Sequence, residues 1–317
     1  MMDSEVDVPE RLMTYTASLL VDWFTERSGH AYVIEHAIDG ETPVFVARSD
    51  TGTLAVAMAP LWEAGSDPAA EDARLAMQER LDAGSVRGPY LVWVPPRGAV
   101  PGEEPAASDF AMRVQLASAP MQPGGRAEID LPVQVQLAKV REEGGYASVM
   151  GGLSRFWTPI TERVNGTFHV NSLQLRRAPQ AEPVRTALLD RIGELSRGLN
   201  VGDAVEFDCA EAWTVQRLRT EPLGEHGFAI AQAPPKIDPS DGTLMRRMVR
   251  KRLKAAGETL AAVPADVKGA GLLAIYEYAE HENVGSFVKS LDPGLFAGLG
   301  IVAAVVDGEV RPVFQPR

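Results

Sequence analysis

The sequence predicts a mixed α/β protein, α+β in class, built as two similar α-β-β-β-α-β lobes bridged by a β-rich middle segment. Three observations carry this. Residues 1–97 open with a helical apolar stripe, continue through three short apolar strands and a second helix, and end on an uninterrupted apolar run. Residues 183–317 repeat that order. The stretch LAVAMAPLWEAGSD at 54–67 returns as FAIAQAPPKIDPSD at 228–241, an offset of 174 with six of fourteen positions identical. We read the echo and its constant offset as internal duplication. The alternative is two independent α/β units with convergent turn chemistry.

In PERLMTYTASLLVDWFTER (9–27), Leu12, Leu19 and Trp23 share a stripe with Met13, Leu20 and Phe24; Pro9 suits the first turn and Ser28-Gly29 the end. AYVIEHAI, PVFVARS and TLAVAMA follow as strands separated by Asp-Gly and Asp-Thr-Gly turns. Ser66-Asp67-Pro68 starts the second helix, and GPYLVWVPP reads as a strand buried on both faces. In the middle segment (98–182), RGAVPGEEPAAS and SAPMQPGGRA read as loops. EIDLPVQVQLAKV alternates, with Ile129, Leu131, Val133, Val135 and Leu137 on one face and Pro132 favouring a sheet edge. Residues 144–157 suggest a short glycine-rich helix, and 166–175 a strand. In the last third, PVRTALLDRIGELSRG is a helix, VGDAVEFDCAEAWTVQRLR one long or two short strands, and GFAIAQA the echo strand. Ser240-Asp241 caps TLMRRMVRKRLKAAGETLAA, GLLAIYEY closes the unit, and GIVAAVVDGEVRPVF forms a hairpin turning at Asp307-Gly308.

Composition bounds the function. A net charge of −12 opposes attraction of the whole molecule to polyanions, so any such binding needs a local basic patch. A lone Cys209 allows neither an intramolecular disulfide nor a cysteine-based zinc site. MMDSEVDVPERL lacks the basic-then-apolar pattern of a signal peptide, and GLGIVAAVV (298–306) is too short to span a bilayer as a helix. A cytoplasmic protein with no membrane partner is the expectation.

The element order, with a buried strand after the second helix, resembles the core of the restriction-endonuclease-like PD-(D/E)xK family. The resemblance implies an Asp on the second strand and a Glu-x-Lys at the end of the third, holding a divalent metal. Here those places read Met58-Ala59-Pro60 and Gln232-Ala233-Pro234, which supply neither acid nor lysine. It therefore implies a tandem of degenerate, non-catalytic nuclease-like lobes. Such lobes serve as binding or scaffold parts in bacterial DNA-transaction or phage-defence assemblies. A sheet flanked by helices also suits an adaptor or chaperone for one protein partner.

TLMRRMVRKRLK carries the strongest local chemistry. On a helix, Leu244, Met245, Met248, Val249, Leu253 and Leu260 line one face; Arg246, Arg247, Arg250, Lys251 and Lys254 take the other, with Arg252 on the flank. Without interleaved acids to pair at i+4, this face suits a phosphate backbone or an acidic partner, met through helix 243–256. The alternative is a solvated face paired with neighbouring acids. In VEFDCAEAW, Glu206 and Asp208 share a face opposite Val205, Phe207 and Cys209; with Glu211 or Glu277 they could hold a divalent cation for an unorthodox nuclease. The commoner reading is the polar face of an amphipathic strand, so no catalytic residue, metal or cofactor is expected. His30, His36, His169, His226 and His281 lack ligand spacing, and AEHEN (279–283) reads as a solvated turn. Gly144-Gly145 and Gly151-Gly152 bracket YASVM without the lysine of a phosphate loop. Arg155, Phe156, Trp157 and Arg163 suit either an interface or a plug between the lobes.

Overall fold

A computed structural model describes residues 10–63, 65–179, 181–237, 242–274 and 285–314. The fold is mixed α/β with two six-stranded sheets. The helices are α1 (Arg11–Ser28), α2 (Pro68–Asp82), α3 (Ala106–Ser118), α4 (Trp157–Thr161), α5 (Glu182–Arg197) and α6 (Gly242–Ala261). The strands are β1 (Val33–Ile38), β2 (Val44–Arg48), β3 (Thr53–Pro60), β4 (Pro89–Trp93), β5 (Arg126–Arg141) and β6 (Tyr146–Gly151), then β7 (Thr167–Ser172), β8 (Ala204–Arg217), β9 (Gly227–Ala231), β10 (Val267–Ala274), β11 (Ile301–Val306) and β12 (Glu309–Phe314). Two compact units emerge, one running to Ala127 and resuming at Thr214, the other Glu128–Trp213. Their boundaries differ from the three segments 1–97, 98–182 and 183–317, because the N-terminal and C-terminal segments pack into one body.

The first unit holds the sheet β1-β2-β3-β10-β11-β12. An antiparallel meander of β1, β2 and β3 continues into β10 and β11, which run parallel to β3, and β12 returns antiparallel. The second sheet has the order β6-β7-β5-β8-β4-β9, and within the first unit β4 lies parallel to β9 and antiparallel to β8. The two echo strands thus exchange partners. β3 leads through α2 to β4, which pairs with β9; β9 leads through α6 to β10, which pairs with β3. Leu54 sits beside Val267, and its echo Phe228 beside Tyr90. Each crossover helix packs on the other segment's echo strand, α2 on β9 and α6 on β3. The lobes expected from sequence are therefore interleaved. The reason is physical: strands with long buried stretches, such as β4 and β10, need sheet neighbours and cover on both faces, and local sequence does not say which strand supplies them.

α1 is buried around its whole circumference from Leu12 to Val21, more than the predicted stripe, because it packs among β3, β9, β10, β11 and β12. Gly29 ends it in the left-handed region at φ 74°, as a helix stop requires. A polar knot ties α1 and α2 to the echo strand. Arg11 Nη1 pairs with Asp82 Oδ2 at 2.5 Å and donates to the Phe228 carbonyl at 3.0 Å, while Asp82 Oδ1 accepts from Phe228 N–H at 2.7 Å. Tyr15 Oη donates to the Gly227 carbonyl at 3.2 Å. Asp67 occupies the N-cap of α2 with Pro68 behind it, but its side chain makes no capping bond and instead meets Lys236 at 3.2 Å. Ser240-Asp241, the expected cap of α6, lies outside the described residues. The hairpin of β11 and β12 turns at Asp307-Gly308 with φ of 48° and 78°, the two positive values a two-residue turn needs.

The second unit has its own core. Val135 and Leu137 of β5, Phe168 and Val170 of β7, and Phe207 and Cys209 of β8 meet Ile160 of α4 and Leu189 and Ile192 of α5. Alternation along β5 follows the prediction, but β5 is interior to its sheet; its pairing with β7 starts at Gln136, past Pro132, so the proline costs no bond of that ladder. Two further corrections concern glycine-rich text. Residues 146–151 form strand β6 rather than a helix, with helical turns only from Ser154. At Gly151, φ is 87° and a Cβ would lie 2.1 Å from the Ser172 carbonyl oxygen, so the glycine permits close backbone approach. In the first unit, α3 forms where the sequence reading saw flanking loops; Ala107, Phe110, Ala111, Val114 and Ser118 bury one helical stripe.

Candidate functional site

α6 presents the most concentrated charge. Met245, Met248, Val249, Leu253, Ala256 and Leu260 recur at helical spacing and are buried against β3 and β10. This fixes the helix with Arg246, Arg247, Arg250, Lys251 and Lys254 exposed. Arg252 does not belong to that face. It is 6% exposed, and its guanidinium donates to the carbonyls of Pro60 at 3.0 Å and Trp62 at 2.7 Å, with Glu41 3.8 Å away. Its i, i+4 neighbours Met248 and Ala256 are core residues, so position 252 faces inward and a buried guanidinium must find acceptors.

The remaining cations divide. Lys251 meets Glu63 at 3.1 Å, which holds the Glu63 carboxyl below the usual carboxylate range. Contrary to the expected absence of such acids, Lys254 pairs with Glu258 at 3.7 Å in the i, i+4 relation. Arg246 donates to Ser290 Oγ at 3.1 Å and lies 5.7 Å from the Phe287 ring centre. Arg247 and Arg250 are exposed, and among the described residues neither has an acid within 4.0 Å. Glu63 was missed because it follows an apolar strand in a loop with no motif; only the tertiary packing of α6 on β3 brings it to Lys251.

The carboxylates of β8 do not gather. Glu206 and Asp208 share an exposed face as predicted, and Asp208 Oδ1 accepts from Gln134 Nε2. Glu211, weighed as their third oxygen, lies on the opposite face, 1% exposed. It is saturated by Arg176 N–H at 2.5 Å, Arg176 Nε at 3.2 Å and Trp213 Nε1 at 2.9 Å. Glu277 and His281, with AEHEN, lie outside the described residues. Among the described residues no group of three or more His, Cys, Asp or Glu is placed to hold a metal ion. At the third-strand positions of the nuclease resemblance, Met58 and Ala59 are buried in the sheet. Burial pushes the Cys209 thiol up to about 11, away from thiolate chemistry. Glu211→Ala removes a buried acceptor of the Trp213 Nε1–H and the Arg176 N–H and breaks the ion pair with Arg176. It is expected to destabilise the fold by about 3 kcal/mol, whereas Asp208→Ala on the exposed face stays within about 0.5 kcal/mol. Urea denaturation of both variants checks this contrast.

Arg155, Phe156, Trp157 and Arg163 all belong to the second unit. Phe156 packs on that unit's own core, with the guanidinium groups of Arg155 and Arg185 4.9 and 5.7 Å from its ring centre. Arg163 pairs with Asp190 at 3.0 Å, and Trp157 is half exposed. No helix among the described residues is long and apolar enough to cross a membrane. In comparison with known proteins, no family model matches the chain, and no curated protein or solved structure is significantly similar to it.

Proposed function

We propose that this chain is a binding protein, a subunit of a larger assembly, whose contact surface is the outer face of α6 and whose ligand there is a polyanion such as nucleic acid. The observation behind the reading is the separation on that helix between Arg252, consumed by the fold, and Arg247 and Arg250, which are exposed and have no acid within ion-pair distance among the described residues. Arg246 and Lys254 flank them within three helical turns. Among the described residues two acids, Glu63 and Glu258, answer five exposed cations, which favours a local positive field within a Debye length despite the net charge of −12.

The test is fluorescence anisotropy of a labelled DNA duplex across a salt series. The wild type is expected to bind with affinity that falls linearly in log salt. Arg247→Glu with Arg250→Glu is expected to cut affinity more than tenfold and lower the salt slope by roughly two. Unchanged affinity and slope in this variant, or no binding by the wild type, would overturn the reading. A second reading, an adaptor for one protein partner, draws on exposed Tyr146, Met150 and Trp157 in the second unit. It requires a protein bound in fixed stoichiometry, without nucleic acid, and lost on Trp157→Ala.

A further inference from the structure

The last turns of α6 form one wall of a cavity of about 450 Å³, within the roughly 300–1,000 Å³ typical of small-molecule sites. Leu260 and Ala261 face Leu295, Phe296 and Leu299 across it. The opposite wall is anchored, since Phe296 is buried and stacks edge-on against Phe314, ring centres 5.0 Å apart. Three glycines, Gly257, Gly294 and Gly298, keep side chains out of the space. Gly257 lies inside a helix, where glycine costs about 1 kcal/mol relative to alanine; a Cβ there would lie 3.4 Å from the Leu295 carbonyl. The charged lining is two cations and one acid. Lys268 Nζ donates to the Leu260 carbonyl at 2.7 Å, which leaves two of its three N–H groups for another acceptor. Lys254 meets Glu258 only at 3.7 Å, beyond hydrogen-bond length, and both are two-thirds exposed, so the ammonium can turn to a ligand.

We propose that this cavity binds a small amphipathic anion, an apolar body bearing one carboxylate or sulfonate. The apolar walls take the body, and Lys254 and Lys268 take the head as charge-assisted donors. The volume accommodates a compact ligand, and the excess of cations over acids in the lining selects an anion. This site shares Lys254 with the rim of the proposed α6 contact surface but includes neither Arg247 nor Arg250, and it does not depend on that reading.

The experiment is a fluorescence titration of the full chain with anilinonaphthalene sulfonate, competed by decanoate and by decanol. One dye per chain is expected, displaced about tenfold more effectively by decanoate than by decanol. Gly298 is the place to close the cavity, because a Cβ there meets nothing within 4 Å and its backbone is not in the left-handed region. Gly298→Phe is expected to weaken dye binding at least about tenfold with an unchanged circular dichroism spectrum and melting temperature. Lys254→Glu, on an exposed helix face, is expected to weaken it by a similar factor and serves if the phenylalanine variant misfolds. Saturable binding unchanged in a folded variant, equal displacement by decanol, or no saturable binding by the wild type would each overturn the proposal. Anisotropy of the DNA duplex with Gly298→Phe reads the outer face of α6 separately.

Discussion

A fragment ending at Arg97 is expected not to fold, although it contains a complete α-β-β-β-α-β unit by sequence. In the whole chain β3 has β10 as its parallel neighbour, and β4 lies between β8 and β9, all supplied after residue 200. Every residue of β4 is buried, so the fragment would expose Tyr90, Leu91, Val92 and Trp93 together with their unpaired backbone groups. α1 would lose β9, β10, β11 and β12 from its surroundings. Each fully buried large apolar side chain contributes about 1.5–3 kcal/mol. Losing six removes about 9–18 kcal/mol, as much as the roughly 5–15 kcal/mol that stabilises a typical domain. Far-UV circular dichroism and limited proteolysis of the fragment check the point. A cooperative thermal transition in the isolated fragment would show that the exchange of strands is dispensable.

Arg252→Ala is expected to be the most damaging substitution on α6, costing about 2–4 kcal/mol, while Arg250→Ala two residues earlier changes stability by less than about 0.5 kcal/mol. The difference follows from what each guanidinium touches. Arg252 satisfies the Pro60 and Trp62 carbonyls as the chain leaves the echo strand β3, and its removal leaves buried acceptors without donors. Arg250 is exposed with no acid within ion-pair distance among the described residues. For DNA binding the order reverses, with Arg250→Ala weakening the contact proposed for α6. Thermal denaturation beside anisotropy on the two variants separates the roles; equal melting temperatures would remove the structural assignment of Arg252.

Local signals were legible where one residue pattern decided one element. The stripe of 9–27, the three strands of 33–60, the apolar GPYLVWV and the Asp307-Gly308 hairpin all follow from periodicity or turn chemistry. α3 was overlooked because Pro/Gly text on both sides drew attention from Phe110 and Val114, although their spacing is helical. β6 was read as helix because glycines at 144, 145, 151 and 152 obscure the period-two alternation of a short strand. On α6, helical spacing separated core from surface except at Leu244, which is only half-buried, and at Arg252. An arginine there looks like a flank residue until β3 supplies its acceptors. Glu211 was misplaced for a related reason: a charged residue on an apolar strand face is tolerated only where partners wait, here Arg176 and Trp213.

By itself, the sequence determined most of the helices and strands, the lone thiol, and a basic helix whose inner stripe is apolar. It also determined that each echo segment is a small-residue strand that runs out at Ala-Pro. Tertiary structure alone decided that the echo strands exchange partners, that Arg252 is consumed while Arg247 and Arg250 stay exposed, and that Glu63 answers Lys251. The physical reason is range. Backbone dihedrals and hydrophobic periodicity act within a turn or a strand, whereas strand pairing and the satisfaction of buried polar groups join residues more than 100 positions apart, as Pro60 and Arg252 are.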